Sequence, residues 1–253
     1  MKREFPILEF DEAREAVLNP RAKKGKTLPD RAVLCFFREV VERWARERQA
    51  RVAHRITWEH GTHRIFEIEW NGSRIAFLQP GVGAPMAAGI MEELIPYGVR
   101  TFVACGGAGT LRSELCVGHI ILPSAAIRDE GTSYHYLPPS REIAAQPDVQ
   151  TSLRRLLEER GVPYVEGKAW TTDAPYRETK AKVELRKAEG CVAVEMEMAA
   201  MLAVARFRDV RFGQMLYAGD DVGGETWDAR GWSTRTDVRE ALFELALTAC
   251  SRL

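Results

Sequence analysis

Two glutamates stand inside an otherwise apolar run, CVAVEMEMAAM, which extends from Cys191 to Met201. Glu195 and Glu197 are two positions apart, so they share a face only if the chain there is extended. The preceding CVAV predicts a strand, so we expect the pair where a strand ends and a helix begins. A buried carboxylate needs hydrogen-bond donors, and sugar hydroxyls are suitable ones. The alternative is that Glu197 caps the helix, where the helix dipole favours a negative charge.

Two aspartates follow another apolar run, in the stretch YAGDDVGGE from Tyr217 to Glu225. Asp220 and Asp221 come after the predicted strand RFGQMLY, and glycines flank the pair. Adjacent carboxylates in such a place suit general acid or base catalysis, because burial and the neighbouring charge change their affinity for a proton. The alternative is a solvated turn, in which aspartate and glycine are common.

Two short glycine-rich segments, GVGAP from Gly81 and GGAG from Gly106, are predicted to be loops that follow strands. Glycines there allow backbone N–H groups to approach an anion or a sugar closely. The first segment has Met86 where a dinucleotide-binding motif has its third glycine, and neither segment continues into a P-loop lysine. A dinucleotide site is therefore disfavoured, and a plain tight turn is the alternative for each segment.

The composition favours a small uncharged partner over a nucleic acid or a membrane. The 253 residues include 36 basic and 36 acidic side chains, so the formal net charge is zero. Five widely spaced cysteines without a CxxC pair favour buried thiols in a reducing compartment, and we expect no metal site. The amino terminus has no apolar signal core and no apolar run reaches about 18 residues, so we expect a soluble, cytoplasmic protein.

Strands that alternate with helices predict a single α/β domain over residues 1–253, with residues 1–30 as an irregular lead segment. Many of the strands are continuous apolar runs, which is typical of a mostly parallel or mixed sheet covered on both faces. The clearest local signal is Asn71-Gly72 between RIFEIEW and RIAFLQ, which predicts a β-hairpin. In open α/β sheets ligands bind beyond the carboxyl ends of strands, where the four segments described above are expected to lie.

The segment AVEMEMAAMLAVA, together with the aspartate 23 positions beyond Glu197, resembles the nucleoside phosphorylase/nucleosidase superfamily. That family includes uridine phosphorylase, hexameric purine nucleoside phosphorylase and methylthioadenosine/adenosylhomocysteine nucleosidase. The resemblance implies that Glu197 binds the ribose 2′- and 3′-hydroxyls and that Met196 packs against the sugar. It also implies a second sugar or water contact for Glu195. In purine-acting members the aspartate protonates N7 of the leaving base, and Asp220 occupies that position here.

Further segments extend the resemblance over most of the chain, from about Ile65 onward. PGVGAP, VRTFVACGGAGTL and IRDEGTSYH are similar to family loops, which implies that Gly83, Gly106 and Gly107 lie at the phosphate or nucleophile site. TTDAPY is similar to the base-pocket segment, which implies that Tyr176 contacts the base. The fold implied is phosphorylase/hydrolase-like, a mixed central sheet of distorted barrel shape flanked by helices. The family also implies a homo-oligomer, a dimer or a trimer of dimers, whose sites borrow residues from a neighbouring subunit.

Several departures from the family pattern affect the phosphate site. Ala104 and Gly107 stand where phosphorylases have an arginine and a serine or threonine, and REVVERW replaces the phosphate loop after the first strand. Arg38 could supply the missing cation, and Arg64 is near the position where a neighbouring subunit's arginine would enter. Alternatively, Glu39 could be the general base for water, as a glutamate near that position is in nucleosidases. For each of Arg38, Arg64 and Glu39 the alternative is an ordinary charged residue on the surface or on a helix.

The sequence therefore predicts a nucleoside phosphorylase, with inorganic phosphate as co-substrate and no other cofactor. It would cleave the N-glycosidic bond of a nucleoside to give free base and pentose 1-phosphate, and Asp220 favours a purine over uridine. The alternative is a nucleosidase that uses water, which the changes at Ala104 and Gly107 favour. A third hypothesis is a nucleoside-binding protein without catalysis.

Overall fold

In the computed structural model, which describes residues 2–253, the first strand begins at Arg31. Before it, residues 2–30 contain one short 3-10 helix, Pro6–Leu8, and Met1 of the predicted lead segment lies outside the described residues. The strands are β1 (Arg31–Cys35), β2 (Arg51–Trp58), β3 (Gly61–Trp70), β4 (Ser73–Leu78), β5 (Thr101–Thr110), β6 (Ile120–Asp129), β7 (Glu142–Ala144), β8 (Tyr164–Thr172), β9 (Cys191–Glu195) and β10 (Arg211–Asp221). The helices are α1 (Arg38–Glu47), α2 (Ala84–Leu94), α3 (Pro147–Glu159), α4 (Lys180–Ala188), α5 (Met198–Arg208) and α6 (Thr236–Arg252).

Five of the strands close into a barrel-like ring in the order β10, β6, β8, β9 and β5, and β5 returns to β10. Pairing in the ring is parallel for β5 with β10, β6 with β8, and β8 with β9. It is antiparallel for β10 with β6 and for β5 with β9. From β5 the sheet continues outward through β1, β4, β3 and β2. This topology confirms the predicted α/β class with a mixed, barrel-like central sheet flanked by helices.

The predicted hairpin is confirmed as the β3–β4 pair. Its strands are antiparallel, with Trp70 opposite Ser73. Asn71 and Gly72 both have positive φ angles, 48° and 74°, as a two-residue turn that follows the twist of the strands requires. Asparagine and glycine are the residues that adopt this conformation at least cost.

Helices cover both faces of the sheet. On one face α2 and α5 pack together, and every residue of α5 from Met198 to Ala205 is buried. On the other face α1, α3 and α6 enclose an aromatic and aliphatic core around Trp44, Leu153 and Phe243. Within residues 2–253 no helix is both long and apolar enough to cross a bilayer.

The glycine-rich segment GGAG is not a loop, contrary to the prediction, because β5 runs on through Gly106–Gly109 to Thr110. A β-carbon at Gly109 would lie 2.9 Å from Val194 Cγ1, and one at Gly106 would lie 3.2 Å from Phe36 Cδ2. The glycines therefore serve the close approach of neighbouring chain segments rather than a turn. In the same way β10 continues to Asp221, so the two aspartates lie at the end of a strand.

Candidate active site

A cavity of about 1140 Å³ opens at the carboxyl ends of β5, β9 and β10. A space of this size holds a small organic ligand. The site residues predicted from the sequence that line it are Gly106, Gly107, Tyr176, Glu195, Met196, Glu197 and Asp220.

The cavity lies where β5 changes its neighbour. β5 pairs with β1 as far as Cys105 and with β9 from Gly109 onward. Between these points Gly106–Ala108 keep β10 on one side, and their other side adjoins the cavity. A divergence of two strands from a common neighbour is where α/β sheets bind ligands, because backbone groups are exposed there without a strand to pair with.

Glu195 ends β9 and caps α5. Its Oε2 accepts hydrogen bonds from the N–H groups of Glu197 (2.8 Å) and Met198 (2.7 Å), and its Oε1 accepts one from the Thr171 hydroxyl. The residue is only 6% exposed, and burial raises the pKa of its carboxyl. The helix-capping role that the sequence suggested for Glu197 thus belongs to the Glu195 side chain, and both of its oxygens are already in use.

Glu197 stands at the N-cap position of α5, but its side chain makes no cap bond and lines the cavity instead. Its Oε1 accepts one hydrogen bond, 2.6 Å long, from the N–H of Gly83 at the start of α2. Gly83 has a φ angle of 96°, a conformation that favours glycine, so the GVGAP segment is shaped to bring this N–H to the carboxyl. Burial and the nearby Glu195 raise the pKa of Glu197 to about 8. Glu197 therefore retains free hydrogen-bonding capacity for a ligand.

The two adjacent aspartates are in different environments. Asp220 lines the cavity, and its Oδ2 accepts a hydrogen bond of 2.7 Å from the indole N–H of Trp227. Asp221 is buried and paired with the Arg230 guanidinium at 2.6 Å, and it also accepts the N–H of Gly223. Asp220 is consequently the member of the pair that can meet a ligand, whereas Asp221 holds the loop that follows.

The segment after β8 forms an outer wall of the cavity. Tyr176 lies on a short 3-10 helix there and is 98% exposed. Glu178, two residues on, is half-buried and also lines the cavity. Burial, reinforced by the negative charge of Asp220, raises the pKa of Glu178 to about 7.

A family model for the phosphorylase superfamily matches residues 30–250 of the chain. The chain belongs to that superfamily. The guanosine phosphorylase of Halorubrum lacusprofundi is 30% identical over 199 residues, which are 76% of this chain and 81% of that protein. The uridine phosphorylase of Escherichia coli is 26% identical over 209 residues, which are 76% of this chain and 82% of that protein.

The fold of the superfamily is also seen in a solved structure of a purine nucleoside phosphorylase from Toxoplasma gondii. The two chains superpose with a TM-score of 0.77 at 21% sequence identity, over 94% of this chain and 97% of the other. At this identity the likeness establishes the fold alone.

Two arginines that the sequence suggested for a phosphate site, Arg38 and Arg64, do not line the cavity. Arg38 is exposed at the first turn of α1. Arg64 on β3 is exposed and pairs with Glu42 of α1. A contribution of Arg64 to the site of a neighbouring subunit stays a prediction.

A different arginine, which the sequence analysis missed, reaches the cavity from α6. Arg239 is 8% exposed and donates hydrogen bonds to the Glu39 carboxylate (2.5 Å) and the Tyr217 hydroxyl (3.2 Å). The ring of Tyr217 lies directly beside Gly107, because a β-carbon on that glycine would be 3.1 Å from it. Arg239 therefore places a positive charge on the Gly107 side of the cavity. No sequence motif around Arg239 indicates this position.

Gln214 is a second residue that the sequence analysis missed. It lies on β10 opposite Ala104, lines the cavity and is 2% exposed. Its amide nitrogen and oxygen have no hydrogen-bond partner within 3.5 Å among residues 2–253, although the amide is near enough to Glu195 to lower the pKa of that carboxyl. The sequence signal for this position is the single amide inside the apolar strand RFGQMLY. A buried amide needs hydrogen-bond partners, which a ligand or water can supply.

Proposed function

We propose that the protein is a nucleoside phosphorylase that cleaves a purine nucleoside with inorganic phosphate, giving free base and pentose 1-phosphate. The observation that carries this proposal is that Glu197 and Asp220, 23 residues apart in the sequence, line the same cavity. The membership of the phosphorylase superfamily and the 30% identity to a guanosine phosphorylase support it.

Glu197 would hold the sugar. Its carboxyl accepts the N–H of Gly83 and can accept further hydrogen bonds from the 2′- and 3′-hydroxyls. Met196 lines the cavity beside it and would pack against the ribose ring. Glu195 would act as a positioning residue, because its bonds to the start of α5 fix the backbone that carries Glu197.

Asp220 would assist departure of the base. When the bond between C1′ and N9 breaks, its electron pair moves to the purine, and Asp220 as general acid would give a proton to N7. The indole of Trp227 holds the carboxyl in place through its hydrogen bond to Oδ2. Such a group accelerates bond cleavage because it neutralises the charge that develops on the leaving group.

The phosphate would occupy the part of the cavity beside Gly106–Ala108, where one side of β5 has no paired strand. A phosphate oxygen would form the new bond to C1′ on the face opposite the departing base. Arg239 is the cation on this side of the cavity and takes the place proposed from sequence for Arg38. Arg64, if the protein is an oligomer as its family suggests, would approach the site of a neighbouring subunit.

Hydrolysis by water is the second candidate function. The aromatic residues Phe36 and Phe37 line the cavity near Gly106, and Arg239 is already paired with the carboxylate of Glu39. An apolar wall and a neutralised cation both weaken an anion site, which favours water as the nucleophile. Glu39, considered from the sequence as the base for water, is half-exposed, paired with Arg239 and outside the cavity lining.

The test is to incubate the purified protein with guanosine, inosine, adenosine or uridine, with and without inorganic phosphate, and to quantify base and pentose 1-phosphate. The phosphorylase proposal expects turnover that requires phosphate and yields pentose 1-phosphate. An unchanged rate in phosphate-free buffer, with free pentose as product, would establish the nucleosidase instead. Calorimetric binding of a nucleoside without turnover in either buffer would identify a binding protein.

A further inference from the structure

The half-buried Glu178 carboxyl faces the cavity and has no side-chain partner among residues 2–253. It lies between the 3-10 helix Pro175–Arg177 and α4, on the wall that also carries Tyr176. Within residues 2–253 its side chain accepts no hydrogen bond and forms no ion pair, unlike Glu184 of the same wall, which pairs with Lys187 at 2.9 Å. Glu178 is therefore the carboxyl of this wall that is free to meet a ligand.

The surroundings of Glu178 are unfavourable for a charge in the empty cavity. Partial burial removes water from the carboxylate, and the Asp220 carboxylate repels it, so the pKa of Glu178 is raised to about 7. A carboxylate in this position is stabilised when a ligand brings N–H donors to it. Asp220 identifies the same end of the cavity as the site for the base.

We propose that Glu178 reads the base by accepting two N–H groups from adjacent ring positions, and so selects a 2-amino-6-oxopurine nucleoside. The inference rests on the proposed function, because it takes Asp220 as the partner of N7 of the purine. A carboxylate has two acceptor oxygens, which match the N1–H and the 2-amino group of guanine in a bidentate arrangement.

Other bases fit this acceptor poorly. Adenine presents an acceptor at N1, which an ionised Glu178 would repel. Uracil presents one N–H between two carbonyl oxygens, so a carboxylate that accepts from it also faces an oxygen. Hypoxanthine has N1–H but no 2-amino group and would make one of the two bonds. A site that hydrogen-bonds a particular edge discriminates strongly, because the wrong base leaves buried polar groups unpaired.

The experiment compares kcat/KM for guanosine, inosine and adenosine in the wild type, in Glu178→Gln and in Glu244→Gln. Glu244 is an exposed glutamate of α6 outside the cavity lining, so its change is the matched control. We expect the wild type to prefer guanosine over inosine and inosine over adenosine. Glu178→Gln should lower kcat/KM for guanosine about 10- to 150-fold, the range for losing hydrogen bonds to a charged group. It should lower the value for inosine less and leave adenosine unchanged or improved.

Calorimetric binding of guanine, hypoxanthine and adenine to the same proteins separates this inference from the proposed reaction. If no nucleoside is cleaved but guanine binds more tightly than adenine, and Glu178→Gln removes the difference, the proposed reaction is wrong and base recognition by Glu178 is supported. If nucleosides are cleaved and Glu178→Gln leaves the ratio of kcat/KM for guanosine and adenosine unchanged, the proposed reaction is supported and base recognition by Glu178 is wrong. Thermal unfolding of Glu178→Gln and Glu178→Ala shows whether the variants are folded, and either folded variant suffices for the comparison.

Discussion

Replacing Glu197 with glutamine should stabilise the protein at alkaline pH while it damages the sugar site. The pKa of Glu197 is raised from 4.5 to about 8 by burial and by Glu195, so folding favours its protonated form. That stabilisation is complete below pH 4.5 and is lost as the pH rises through 8. A difference of this size corresponds to about 4 kcal/mol of unfolding free energy lost between pH 5 and pH 9. Glutamine stays neutral and still offers an oxygen to the N–H of Gly83, so the variant should escape the loss.

The assay is urea unfolding of the wild type, Glu197→Gln and the exposed control Glu244→Gln at pH 5, 7 and 9. The Glu197 variant should gain about 4 kcal/mol over the wild type between the lowest and the highest pH, or about 8 to 16 °C in melting temperature. Titrating groups remote from Glu197 cancel in this comparison because all three proteins share them, while the repulsion between Glu195 and Glu197 is part of the measured difference. Parallel stability curves for Glu197→Gln and the wild type would refute the assignment of the buried proton to Glu197. The control should follow the wild type.

Three further predictions concern the cavity and the loop beside it. Asp220→Asn should lower kcat for a purine nucleoside about 10²- to 10⁴-fold with a smaller change in KM, measured by steady-state kinetics, because general acid catalysis is lost; undiminished turnover would remove Asp220 as the acid. Arg239→Met should raise the KM for phosphate at least about 10-fold and the KM for the nucleoside less, since one charge-assisted contact is lost; equal changes would mean that Arg239 only supports the structure. Gly223→Ala should cost about 1 to 3 kcal/mol in urea unfolding, because its β-carbon would lie 2.2 Å from the Leu111 carbonyl oxygen. Gly224→Ala, whose β-carbon would have no contact closer than 3.4 Å, is the matched control, and equal losses would contradict the packing argument.

The sequence predicted those parts of the fold that local patterns determine. The turn at Asn71 and Gly72 and the apolar strands needed only nearest-neighbour chemistry. The extent of β5 could not be predicted from local pattern, because the glycines of GGAG are typical of a loop. Their role in a strand becomes clear only from the close contacts of Val194 and Phe36 in the fold. The closed ring depends on pairings between distant strands, and it was expected only through the resemblance to a family.

The candidate site divides in the same way. Glu197 and Asp220 stood out because carboxylates interrupt apolar segments at the ends of strands, and both line the cavity. Arg239 and Glu178 come from a helix and a loop with ordinary charged sequences, and only the fold brings them to the cavity. A cap of α5 was considered only for Glu197, as the alternative to its sugar-binding role, and the structure gives it to Glu195. The backbone turns between Glu195 and the helix in a way that spacing alone does not specify.

The change of neighbour along β5 bears on how the cavity could be redesigned. The cavity wall at Gly106–Ala108 consists of main-chain atoms, so a point substitution elsewhere in the cavity leaves it in place. Substitutions can alter the side chains that line the cavity beside this backbone, where Phe36 is apolar and Arg239 is charged. Under the proposed function, replacing Phe36 by a polar residue or adding a second cation should shift the preference of the cavity between water and phosphate without rebuilding β5. Under the proposed function, the side chains around β5 therefore decide which nucleophile is used, and the backbone of β5 stays the same when they are changed.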